Sequence, residues 1–266
     1  MLNTFSMSVP TPRYFVALIS LLVLLSMSGC VTTERGGIGF EIEKSQALKD
    51  TVQLAFSYIR VGNWSAAKRH LKTALALDDN NAEVYEAMAL VFQNTGEVEL
   101  AEENYLRSIK LEPSVSRVRN NYAAFLGQQN RYAEAVVQLQ QVVADTLYNN
   151  RPSAFVSLGQ SHLQLQQLEA AREAFRRAFL MNRNNIPVTF YLAEVNYKLD
   201  NLGLAQQYYD SYRAAVKQQP ARALWLGIRL AEEFSNNDAL ASYGMVLKNL
   251  YPNSQEYLDY KKVYGL

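Results

Sequence analysis

The chain has 266 residues, 49% of them hydrophobic, with 26 Lys and Arg against 25 Asp and Glu, two His and a single Cys. That apolar fraction over this length is enough to bury a substantial core. So even a charge balance gives no sign of the clustered basic surface of a nucleic-acid binder, and one Cys excludes an internal disulfide or a multi-thiol metal site.

Residues 1–29 carry one charge, Arg13, then an apolar run from Tyr14 to Leu25 and the small residues Ser26, Ser28 and Gly29. A basic start, a short apolar stretch and small residues before a cut make up the layout of a secretory signal peptide. The run falls short of the roughly 20 apolar residues that a membrane-spanning helix needs. Cys30 follows directly, and the junction resembles the bacterial lipobox, with Met27 where Leu is usual. The resemblance implies cleavage before Cys30 and a covalent lipid on it, with acyl chains holding the protein at a membrane. An ordinary signal peptide or an uncut apolar anchor, with Cys30 there by chance, are the other readings. Val31 stands where an Asp would retain a lipoprotein in the inner membrane, so the periplasmic face of the outer membrane is the expected location. Without Arg13 the 26 basic residues become 25, against 25 acidic, a formal charge of zero. Gly36, Gly37 and Gly39 give residues 31–40 the composition of a flexible tether, and we assign 30–46 as lipidated N-terminus and tether.

From there a small residue returns on one period: Ala55, Ala89, Ala123, Gly159, Ala193, Gly227, at intervals of 34, 34, 36, 34 and 34. That period is the signature of the tetratricopeptide repeat, a helix–turn–helix unit that stacks into a superhelix. The small residue lets two antiparallel helices approach to about 8–10 Å. In the first unit Leu54, Ala55 and Tyr58 share a face, Gly62 turns the chain beside Trp64, and Ala67, Leu71 and Ala74 form the facing stripe. The second reads Met88-Ala89, Phe92, Gly96, Ala101, Tyr105 and Pro113. The third reads Tyr122-Ala123, Leu126, Ala135 and Leu139, with Asn130 at the turn because Asn tolerates the left-handed conformation. Two extra residues within Asp145–Pro152 should bulge from one edge. The fourth and fifth read Leu158-Gly159, His162, Ala171, Phe175 and Leu192-Ala193, Ala205, Tyr209. The sixth, Leu226-Gly227, Leu230, Ala239, Tyr243 and Val246, is degenerate, as terminal repeats tend to be. The sequence therefore predicts an all-α, right-handed superhelical solenoid over 47–266. Its six repeats lie near 48–81, 82–115, 116–151, 152–185, 186–219 and 220–253, with a closing helix at 254–264.

The side chains offer no catalytic cluster. His70 lies between Arg69 and Lys72 on a second helix and reads as solvated; His162 occupies an aromatic slot and reads as a packed ring. No zinc-protease motif, nucleophile elbow or phosphate loop is present. Glu102-Glu103 and Glu232-Glu233 are neighbours about 100° apart on a helix, and Arg176-Arg177 reads as an outer face. Neither an enzyme activity nor a cofactor or small-molecule substrate is expected.

A peptide groove is the better target. The exposed positions of the first helices follow from the period: Glu86, Leu90 and Gln93; Asn120, Ala124, Gly127 and Gln128; Val156, Gln160 and Leu163; Phe190, Glu194 and Tyr197; Leu224, Ile228 and Ala231. Their middle is amide-rich, suited to bonding a peptide backbone without reading charge. The C-terminal end is apolar, suited to an amphipathic helix.

With the lipobox, tether and six repeats together, the chain resembles the PilF/PilW family of type IV pilus biogenesis lipoproteins. The local match is Asn120-Asn121-Tyr122-Ala123-Ala124-Phe125-Leu126, similar to that family's Asn-Asn-Tyr-Gly-x-Phe-Leu. The resemblance implies a pilotin, which escorts the pilus secretin subunit to the outer membrane and promotes its multimerisation. Cys30, Asn120 and Asn121 are the residues it nominates, with Gln93, Ala124, Gln128, Gln160, Phe190, Glu194 and Tyr197 as further partner contacts from the groove pattern. A periplasmic adaptor for peptidoglycan enzymes or outer-membrane assembly factors is the alternative.

Overall fold

The computed structural model describes residues 38–265, which hold thirteen helices and, among the described residues, no strand. Cys30 and the residues read as a signal peptide lie outside them. The chain divides into two compact units at Lys49/Asp50. The first is described only through the opening half of α1 (Ile38–Arg60), the second from Asp50 onward. Helix α1 thus begins inside the stretch read as a tether. The glycines stop at its first turn, and Glu41, Lys44, Gln46, Ala47 and Leu48 are good helix formers.

In the second unit helices pair in sequence order. The rest of α1 is followed by α2 (Trp64–Leu77), and then come α3 (Ala82–Thr95) with α4 (Val98–Leu111) and α5 (Ser116–Gln128) with α6 (Tyr132–Ala144). The series continues with α7 (Arg151–Gln164) and α8 (Leu168–Met181), α9 (Ile186–Lys198) and α10 (Leu202–Ala215), and α11 (Ala221–Glu233) and α12 (Asn237–Leu250). Helix α13 (Gln255–Tyr264) closes the stack, capped by Ser254 Oγ, which accepts from the Tyr257 N–H. These are the six predicted repeats and their closing helix.

Each of the first five pairs is locked at its crossing by a small residue and, 16 positions on, a large one. Ala55, Ala89, Ala123 and Ala193 are buried, as are Leu71, Tyr105, Leu139 and Tyr209. Gly159 shows why: a Cβ there would stand 2.6 Å from a ring carbon of Phe175. Leu54 departs from its predicted place and is exposed, turned away from the face that Ala55 buries.

The turn within each repeat is also periodic. A left-handed residue recurs at Gly62, Gly96, Asn130, Gln166, Asp200 and Ser235. After each, an N–H closes onto a carbonyl five residues back, from Asn63 to Tyr58, Glu97 to Phe92 and so on to Asn236 onto Ala231. The last interval is one residue too long, and this corrects the reading of the sixth repeat. Gly227 is not its crossing residue; it makes room for Tyr209 of the preceding repeat. The buried register of the sixth pair is Leu224, Ile228, Gly244 and Leu247, while Ala239 and Tyr243 are only partly buried. Gly244 stands where the other repeats carry the large residue. Tyr260 of α13 reaches into that vacancy, on a run with Tyr257 and Tyr264 whose ring centroids are 6.3 and 5.0 Å apart.

The insertion at residues 145–150 only partly bulges. Asp145 accepts a 2.6 Å bond from Ser116 Oγ, which with the Leu147 N–H holds its carboxyl below the usual range. Tyr148 packs on the core, while Thr146, Leu147, Asn149 and Asn150 are exposed.

Candidate partner-binding groove

Side-by-side stacking of the first helices of successive repeats places their polar residues within reach of one another. Most of the predicted groove contacts are spent there. Gln93 accepts a 2.6 Å bond from Tyr105 Oη and donates a 2.9 Å bond to Gln128. Asn121 donates to Glu86 at 2.9 Å, and Arg117 reaches the other Glu86 oxygen at 2.8 Å while lying over the Phe56 ring. Glu86 is therefore not an exposed groove residue but fully buried. Burial pushes its carboxyl up to about 7; Arg117 and Asn121 pull it back, and Glu83 and Glu112 add to the rise. The neighbouring hydroxyls of Tyr105 and Tyr148 feel its charge and are raised chiefly by their own burial.

Toward the C-terminus Gln160 donates to Tyr191 Oη at 2.6 Å, and Arg222 forks onto Glu194 at 2.6 and 2.7 Å. Arg222 also lies 5.7 Å from the Phe190 ring centroid, which covers that ring: Phe190 is buried, not a free contact. Leu163, Leu224, Ile228 and Ala231 are buried too, the last three because the sixth repeat is shifted by one residue. Tyr197 is half-buried and faces Arg229. Asn120 is half-buried and Ala124 exposed.

Among these, Ala124, Gln128 and Gln160 come together. With Gly127, Tyr132 and Leu139 they line a cleft of about 400 Å³ that runs over α5 and α7 to Tyr191 and Arg222. Gln93, Asn120, Asn121, Phe190, Glu194 and Tyr197 lie outside it. A second cleft, of about 280 Å³, opens between α2 and α3 and was not foreseen. Leu71, Leu75, Met88, Val91 and Phe92 form its apolar wall, flanked by Lys68 and Lys72. Lys68 is fixed by Glu97 at 2.9 Å and lies over Phe92. Leu71, Met88 and Phe92 sit at packing positions, so periodicity marks them as closed core and carries no sign of the gap.

The histidines are structural. His162 is buried with Nδ1 2.6 Å from Gln167 Oε1, as a packed ring should be. His70 is not free in solvent: it stacks on Tyr58 at 5.3 Å. Glu102 is tied to Arg131 and Tyr122 rather than left as a solvated face. Arg176 and Arg177 converge on Glu173 and hold its carboxyl down at about 2. Among the described residues no group of His, Cys, Asp and Glu is placed to hold a metal ion.

This architecture has close counterparts. A tetratricopeptide-repeat family model matches residues 86–152 and 156–220. The chain is 37% identical over 246 residues to the type IV pilus assembly protein PilF of Pseudomonas aeruginosa, covering 92% of this chain and 97% of that one. A solved structure of Pseudomonas aeruginosa PilF superposes with a TM-score of 0.75 at 38% identity, covering 83% of this chain and 99% of the other. That of PilW, described as a widely conserved type IV pilus biogenesis factor, gives 0.68 at 26% identity, covering 80% and 98%.

Proposed function

Because the chain belongs to the PilF/PilW family of type IV pilus biogenesis proteins, we propose that it is a pilotin. In this reading it is a lipoprotein, anchored through Cys30 at the periplasmic face of the outer membrane. It holds a segment of the pilus secretin subunit while secretin multimers assemble. It performs no chemistry and needs no cofactor beyond the lipid.

The observation that carries the reading is the 37% identity running through 97% of a pilus assembly protein. The structure supports it with a repeat scaffold that presents open clefts, among them those over α5 and α7 and between α2 and α3. Pre-formed concavities lined by apolar groups with a few polar ones are the usual form of binding sites.

Affinity capture from detergent-solubilised envelope with the full chain tests the partner. Recovery of a secretin as the dominant protein is expected; recovery of peptidoglycan hydrolases or assembly factors without secretin would hand the role to an envelope adaptor. Cys30→Ala tests the anchor. It should remove the protein from the outer-membrane fraction with an unchanged helical circular dichroism spectrum, and retention there would refute lipid anchoring.

A further inference from the structure

The cleft over α5 and α7 has a floor that the fold itself does not require. A Cβ built on Gly127 meets nothing within 4 Å. The other helical glycines at close contacts differ: the missing side chains of Gly159, Gly227 and Gly244 make room for Phe175, Tyr209 and Tyr260. The space above Gly127 has no internal occupant, and Ala124, one turn earlier, is exposed beside it. At about 400 Å³ the cleft falls within the range of ligand-sized pockets.

Its polar rim has an unused half. Gln128 accepts from Gln93 through its carbonyl, which leaves the amide N–H groups as donors. Gln160 donates its N–H to Tyr191, which leaves the carbonyl as an acceptor. One donor and one acceptor flanking an apolar floor are what an extended peptide backbone satisfies. The cleft is also electrically silent: its only charged lining residue, Arg222, is already neutralised by the fork onto Glu194. A charged segment would gain no counter-charge there and would lose its hydration.

We propose that this cleft is a subsite for one large apolar side chain carried on an uncharged, extended segment of the partner protein, whose backbone is bonded by Gln128 and Gln160. The proposal rests on reading the chain as a partner-binding scaffold and is independent of which partner that is.

The test is selection of random heptapeptides displayed on phage against the detergent-solubilised full chain, with Gly127→Leu as the comparison. Recovered peptides should share one Phe, Trp, Leu or Met among uncharged neighbours. Their synthetic forms should bind the wild type at least tenfold tighter than Gly127→Leu, whose thermal midpoint should not fall. Ala124→Leu fills the same cleft from an exposed position and serves if Gly127→Leu unfolds. Peptides that bind both forms equally, a consensus of charged residues, or no enrichment at all would overturn the subsite. Secretin capture is scored separately: peptide binding that Gly127→Leu abolishes, together with no secretin captured by the wild type, upholds the subsite and rejects the pilotin reading.

Discussion

Removing Arg117 should destabilise the protein in a way that depends on pH. Glu86 is fully buried, and its charge is met by Arg117 at 2.8 Å and Asn121 at 2.9 Å. Removing one partner of a buried ion pair typically costs about 3–5 kcal/mol, because the other charge stays buried and unpaired. Arg117 is 43% exposed, so solvent screening lowers the expected cost to about 2–3 kcal/mol at pH 8. The carboxyl can escape by taking a proton. Its folded pKa is raised from 4.5 to about 7, so the folded state holds that proton more tightly than the unfolded chain. The associated stability, roughly 3 kcal/mol for a rise of this size, is fully present below pH 4.5 and is lost as pH climbs through 7. Loss of Arg117 raises the pKa further. At pH 5 Glu86 is then neutral, and Arg117→Ala should cost only about 1 kcal/mol, the scale of an ordinary polar contact. Urea unfolding followed by helical circular dichroism at pH 5 and pH 8 reads both values. In a Glu86→Gln background the Arg117→Ala cost should be small at both pH values. An equal cost at pH 5 and pH 8 in the wild-type background would refute the argument.

Other consequences concern the glycines and the turns. Gly159→Ala forces a methyl against Phe175 at 2.6 Å, so overpacking should cost about 1–3 kcal/mol in denaturant unfolding; an unchanged midpoint would show that the ring moves freely. Gly244→Ala should displace Tyr260 and with it α13, which has no fully buried residue of its own. Amide exchange in residues 255–264 would then accelerate while α3 to α10 stay protected, and uniform protection would contradict this. Gln166 holds a φ of 57°, so Gln166→Gly should relieve left-handed strain and raise stability by up to about 1 kcal/mol; destabilisation would mean that the lost side chain matters more than the strain.

The period of small residues, the turn residues and the buried large residues determined the repeat architecture from the sequence alone. These are local demands of one helix pair, renewed in each copy, and Ala89, Ala123 or Phe175 answers them with neighbours close in the chain. The same regularity misled where it failed. Gly227 keeps the 34-residue interval, yet the buried register shifts to Ile228, because Tyr209 claims the space beside Gly227 and Tyr260 claims the space beside Gly244. The groove divided along the same line. Periodicity places Glu86, Gln93 and Gln128 on the exposed faces of the first helices, but it cannot say whether an amide there meets solvent or the next repeat. That depends on side chains 28–35 residues apart meeting across the stack, as Glu86 does with Asn121 and Glu194 with Arg222. Open space is least legible of all. The period marks Gly159 as a crossing residue and Gly127 as a groove position, but only the tertiary structure shows that Phe175 fills the space at Gly159 and that a Cβ at Gly127 would meet nothing.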